Sequence, residues 1–204
     1  MDFHPARLYR NSAPEATVAE RLRAAFLEGD YEHLQTLLDE ATATTTLCCV
    51  NPTSALLALV VDALRDLPRP GTVLSIGSGS GLLEFLLDAR LGDDGLDVHG
   101  VDIAPINAFA PFFDVVQEDL RPSLQGVTVL LAVYLRRPSL LLTYLNWFPH
   151  VHKLVLIGPK NEDPIADATT AAGVGAWGAL EVRVMNHTAL APWDMLQVWA
   201  RHTT

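Results

Sequence analysis

Residues 77–81 read Gly-Ser-Gly-Ser-Gly and follow the apolar run VLSI at 73–76. Glycines at alternate positions let a backbone curl tightly and come close to a ligand, and a helix opening at Leu82 would offer unpaired N–H groups beside it. Twenty-one residues after Gly81, the run LDVHGVD ends at Asp102. A carboxylate there can accept hydrogen bonds from both hydroxyls of a ribose, which suits an unphosphorylated nucleoside. Further on, VTVLLAVY ends at Tyr134, with Arg136 and Arg137 just behind. LIGPKN ends at Lys160 and Asn161, and LEVRVMN at Asn186, followed by His187. Tyr134 could orient or deprotonate a nucleophile, Arg136 could bind an anionic group, and His187 is the best histidine for a general base. His150 and His152 precede the run KLVLIG and so belong at its other end.

These groups need a frame that brings run ends together. From Thr72 onward, seven short runs are separated by helical or turn-rich stretches: TVLSI, LDVHGVD, DVVQ, VTVLLAVY, KLVLIG, LEVRVMN and MLQVWAR. Most are continuously apolar, as strands covered on both faces are. Alternation with helices predicts an α/β, doubly wound, mostly parallel seven-stranded sheet with right-handed crossovers. Only HTALAPWD separates the last two runs, too little for a helical crossover, so the last strand returns antiparallel. In such a sheet, ligands sit outside the carboxyl ends of the strands.

Residues 1–68 read as a helical N-terminal cap on the core of residues 69–204, together one domain. Ser12 and Glu15 have capping-box spacing; Val18, Leu22, Ala25 and Phe26 fall on one helical face, and Gly29 ends it. Leu34, Leu37, Leu38 and Ala41 form a second inward stripe, and NPTSALLALVVDALRDL a third helix. The chain has 204 residues, 50% of them hydrophobic, enough for one packed core. Its 24 acidic against 14 basic residues give a net charge of −10, with no Lys/Arg run to follow a phosphate backbone. Nucleic acid is therefore disfavoured and a small-molecule substrate favoured. No apolar run approaches the ~20 residues that cross a bilayer. The first residues lack a secretory signal, so a cytoplasmic location is expected. Cys48 and Cys49 are adjacent, without zinc-clip spacing, and read as small hydrophobes. No acidic metal-ligand cluster follows the fourth strand, and no metal is expected.

The glycine spacing selects between cofactor classes. A dinucleotide fingerprint needs a small third residue at position 82, which is Leu. The compact Gly-x-Gly-x-Gly, with Asp102 after the second strand and Asp119-Leu120 after the third, resembles the class I S-adenosylmethionine-dependent methyltransferases over roughly residues 70 to 201. The resemblance implies a Rossmann-like fold and S-adenosylmethionine as cofactor. It implies cofactor contacts from Ser75, Gly77, Ser78, Gly79, Gly81, Asp102, Ile103, Asp119 and Leu120, the last two on the adenine. It also implies a small-molecule acceptor near Tyr134, Arg136 and His187, and cap helices over the cofactor mouth, with Tyr9, Phe26, Tyr31 and the turn around Asn51 shaping the pocket. If Tyr134, Arg136, Lys160 and His187 share one pocket, it favours an acceptor with a carboxylate or other anionic handle.

Two departures accompany the resemblance. Many members carry Asp or Glu where this chain has the uncharged Ser75, so the methionine end rests on the glycine backbone and Glu84. Pro105 and Pro111 shorten or break the helix between the second and third strands. They leave a second reading open: a member that keeps the fold without transferring methyl groups, as a binding or partner subunit or an enzyme of another reaction.

Overall fold

In a computed structural model describing residues 16–42, 44–117 and 121–203, all seven apolar runs are strands. They are β1 (Gly71–Ile76), β2 (Leu96–Asp102), β3 (Phe113–Val115), β4 (Val127–Val133), β5 (Lys153–Pro159), β6 (Gly178–Met185) and β7 (Asp194–Arg201). They form one sheet in the order β3-β2-β1-β4-β5-β7-β6. Strands β1 to β5 pair in parallel; β7 runs antiparallel between β5 and β6.

The continuous apolar character of the central strands has a simple cause. Successive side chains alternate between two buried faces. Val73, Val129, Leu131, Val155 and Ile157 point into one core, and Leu74, Leu130, Ala132, Leu154 and Leu156 into the other. The first core also takes Leu22, Leu34, Leu38, Leu56, Leu57 and Val60. These come from α1 (Val18–Glu28), α2 (Tyr31–Glu40) and α3 (Ser54–Ala63), so the cap shares its core with the sheet and with α4 (Leu82–Leu91). The opposite face is covered by α5 (Ser139–Trp147) and α6 (Ala168–Trp177).

Helix α1 begins with a capping box at Thr17 and Glu20. The Thr17 side chain accepts from the Glu20 N–H while the Glu20 carboxylate accepts from the Thr17 N–H. Ser12 and Glu15 lie outside the described residues, as does Tyr9. Gly29 closes the helix at φ 71°. Between β2 and β3 the described chain forms bends and no helix, as Pro105 and Pro111 demand, and β3 is only three residues long. Among the described residues no helix is long and apolar enough to cross a membrane.

Gly81 caps α4 at φ 79°. A Cβ there would stand 2.7 Å from the Ala110 backbone nitrogen. Gly81→Ala is therefore expected to lose about 2 to 4 kcal/mol in urea unfolding, from left-handed strain plus displacement of a packed turn. Gly79→Ala, at φ 59° with nothing within 4 Å, loses only the strain, about 1 to 2 kcal/mol. Equal losses would contradict this packing.

Candidate functional site

Strand order reverses between β1 and β4, which opens a crevice beyond their carboxyl ends. The glycine turn occupies it. Gly77, Gly79 and Gly81 all have positive φ (74°, 59° and 79°). A side chain at 77 or 79 would meet nothing within 4 Å, so this backbone faces open space, whereas position 81 is filled by the 107–110 turn. The Gly77 and Ser78 N–H groups donate to the Val101 carbonyl at 2.8 and 3.1 Å. Asp102, at the end of the neighbouring β2, fixes the rest: one oxygen accepts from the Gly79 N–H (3.0 Å) and the other from the Ala104 N–H (3.1 Å). Each oxygen keeps a lone pair for a further donor.

Beneath the turn, the Ser75 hydroxyl donates to Glu84 Oε1 at 2.6 Å. Glu84 is 2% exposed, and its second oxygen is buried without a partner. Burial, reinforced by the Asp102 charge and opposed by the Ser75 bond, pushes its carboxyl up to about 7.

Two cavities meet over this floor. One, about 450 Å³, is lined by Gly77, Asp102, Ile103, Ile106, Tyr134 and Arg136 among others. The second, about 560 Å³, lies between Gly77, Ser78, Gly79 and Glu84 on one side and cap residues 44–49 on the other. They share Cys49, Gly77, Ile106 and Val133, which makes them one cleft. The cap segment is tied down where Ser80 Oγ donates to the Leu47 carbonyl. Ile103 and Ile106 are 64% and 56% exposed, apolar surface at the cleft that suits a flat apolar group. Asp119 and Leu120 lie outside the described residues.

The expected substrate-side cluster separates into two parts. Tyr134, Arg136 and Arg137 stand on the first cavity with Gly77 and Asp102. Lys160 and His187 do not join them, which corrects the expectation of one shared pocket. The Lys160 ammonium is held by Asn186 Oδ1 and the Pro192 carbonyl, both at 2.7 Å. His187 is exposed, and its Nδ1 accepts from the Ala189 N–H of its own turn at 3.1 Å. The short β6–β7 connection curls back on itself and carries His187 outward. Asn161 is likewise exposed, as are His150 and His152 at the opposite end of β5. In the cap, Phe26 and Tyr31 pack on Phe85 at 5.0 and 5.3 Å, covering α4, while Asn51 lines a separate cavity and not the cleft over the glycine turn.

Tyr134 has a partner that the sequence reading missed. Its hydroxyl donates to Asp194 Oδ1 at 2.7 Å and accepts from Trp193 Nε1 at 3.2 Å. The backbone takes φ 53° to make this reach, a conformation that costs a bulky residue about 1 to 2 kcal/mol. Burial and the Asp194 hydrogen bond push the phenol up to about 12. A phenol donating to a carboxylate is poorly placed to act as a base, so its orienting role is the one this geometry favours. Asp194→Asn should lower this value towards 10, with burial holding it above. Ultraviolet titration of tyrosinate, read against Tyr134→Phe, checks this; an unmoved titration would contradict the pairing.

Three solved structures superpose on this architecture. One from Listeria monocytogenes, assigned to the class I S-adenosylmethionine-dependent methyltransferases, has a TM-score of 0.58 at 10% identity, over 92% of this chain and 71% of that one. A TehB-like SAM-dependent methyltransferase from Corynebacterium glutamicum gives 0.53 at 17% identity, over 72% and 88%. A SAM-dependent methyltransferase from Aquifex aeolicus gives 0.52 at 16%, over 72% and 89%. This chain has the class I methyltransferase fold. No family model matches it, and neither does any curated protein sequence. Within the class I fold, the glycine turn and Asp102 occupy the crevice at the switch point, while the Ser75–Glu84 pair and Asp194 emerge only from the packing. Among the described residues no group of three His, Cys, Asp or Glu could hold a metal ion.

Proposed function

We propose that the protein is an S-adenosylmethionine-dependent methyltransferase acting on a small molecule in the cytoplasm. The observation that carries this reading is the unpartnered, buried oxygen of Glu84 beside the open backbone of Gly77 and Gly79. A buried acceptor without a donor is costly, and a ligand ammonium next to the glycine turn would relieve it. Asp102 offers two oxygens to a ribose, and Ile103 and Ile106 offer apolar cover to a base. Nucleoside and ammonium are both present in S-adenosylmethionine, and the residues here fit both.

When bound, the cofactor supplies an electrophilic methyl group on a sulfonium that leaves as a neutral thioether. The protein's part is then mainly to align the acceptor and exclude water, which requires no fixed catalytic residue. The cap segment 44–49 is placed to close the cleft, and Tyr134 to orient what lies next to it. Arg136, exposed at the first cavity, is the group that would take an anionic handle on the acceptor.

Ser75 by itself favours a member that keeps the fold without methyl transfer, because it brings no charge. Glu84 supplies a carboxyl at that place from helix α4, which supports the methyl-transfer reading over the alternative. Thermal-shift measurements with S-adenosylmethionine, S-adenosylhomocysteine and NADH test the proposal. The first two should raise the melting temperature and NADH should not; a shift with NADH alone, or with none of the three, would remove it.

A further inference from the structure

A third cavity, about 330 Å³, lies between cap residues 39–56 and residues 188–194 of the β6–β7 connection. The cofactor reading makes no use of it. Leu56, Leu190 and Trp193 give it apolar walls, and Asn51 and Asp194 add polar ones. Thr44 belongs both to this wall and to the cleft over the glycine turn.

Each polar group keeps one oxygen without a donor. Asn51 Nδ2 donates to the carbonyls of Leu38 (3.0 Å) and Ala41 (3.3 Å). That fixes the amide and leaves Oδ1 as an acceptor, which is buried and unpartnered. Asp194 is 2% exposed. One of its oxygens takes the Tyr134 hydroxyl, and among the described residues the other has no hydrogen-bond partner. Burial raises its carboxyl above the usual range, with the Tyr134 bond and the Lys160 charge opposing. Two acceptor oxygens without donors on one small, partly apolar cavity, that of Asn51 buried, call for a ligand that brings donors, and they disfavour an anion at this point. Tyr134 also lines the cofactor cleft, so its bond to Asp194 spans the wall between the two spaces.

Resting on the methyl-transfer reading, we propose that this cavity holds the acceptor, that the acceptor's nucleophile is a hydroxyl or amine still carrying its proton, and that Asp194 receives that proton. The O–H bond, or one N–H bond of the amine in its ammonium form, breaks with its electron pair left on the nucleophile, and the proton passes to the unpartnered oxygen of Asp194, giving a neutral carboxylic acid. The released pair would form the new bond to the cofactor's methyl carbon, whose bond to sulfur would break with its pair left on sulfur as the neutral thioether.

Three probes of matched shape test the site without turnover: benzyl alcohol, benzylamine and benzoate. Binding to the full chain is read by saturation-transfer NMR, with and without S-adenosylhomocysteine. The alcohol and the amine should bind, and benzoate at least tenfold more weakly. Asp194→Asn should weaken benzylamine at least tenfold while S-adenosylhomocysteine affinity stays unchanged. Should that variant fail to fold, Thr188→Trp, at an exposed lining position, fills the cavity with Asp194 intact and should abolish probe binding. Benzoate binding as well as benzylamine, no binding by any probe, or binding indifferent to these substitutions would overturn the inference. Loss of S-adenosylhomocysteine binding with the probe pattern intact would instead overturn the cofactor reading alone.

Discussion

Glu84→Gln is expected to bind S-adenosylhomocysteine about ten- to a hundredfold more weakly than the native protein, while its ligand-free form melts at a higher temperature at pH 8. The opposite signs have one cause. Glu84 is 2% exposed with one oxygen unpartnered, and its carboxyl is raised from the usual 4.5 to about 7. A raised acid holds its proton longer in the folded state, so its contribution is most favourable below pH 4.5 and is lost as pH rises through about 7. Above that the ionised group costs the folded protein roughly 3 kcal/mol. The amide keeps an acceptor for the Ser75 hydroxyl and removes that cost. It also removes the charge that a ligand ammonium would meet, and a charged hydrogen bond is worth about 1.5 to 3 kcal/mol. Calorimetry with 5′-methylthioadenosine, which lacks the amino acid, should show little change in the variant. Equal weakening of both ligands would mean that Glu84 acts only on the shape of the turn.

Asp102→Ala should reduce S-adenosylhomocysteine affinity about a hundredfold. Two charge-assisted hydrogen bonds to ribose hydroxyls would be lost. The carboxylate also holds the Gly79 and Ala104 N–H groups at 3.0 and 3.1 Å, so the glycine turn loosens and stability falls by about 1 to 3 kcal/mol. Asp102→Asn keeps one acceptor oxygen and should fall between the two. Unchanged affinity in a folded variant would show that the nucleoside binds elsewhere.

The sequence made the sheet legible because its period is strict. The run VLLAV at 129–133 is apolar throughout since Val129 and Leu131 face one core and Leu130 and Ala132 the other. The eight amino acids between β6 and β7 allow nothing but an antiparallel return. The turn and Asp102 were legible for a similar reason: they are fixed by their place at strand ends. Side-chain partnerships across sequence distance were not. Nothing in the chain announces that Ser75 bonds Glu84, or that Tyr134 spans sixty residues to Asp194. Lys160 and His187 sit at strand ends as well, yet the curl of residues 187–193 turns them aside. A strand end fixes where a backbone stops and leaves open where the side chain points.

The central claim is that one cleft holds nucleoside and amino acid between Asp102 and Glu84. A crystal structure of the protein with S-adenosylhomocysteine tests it most directly. The account predicts ribose hydroxyls within hydrogen-bond distance of the Asp102 carboxylate and the ligand ammonium on the free oxygen of Glu84. A ligand bound with Asp102 and Glu84 both out of reach would contradict it.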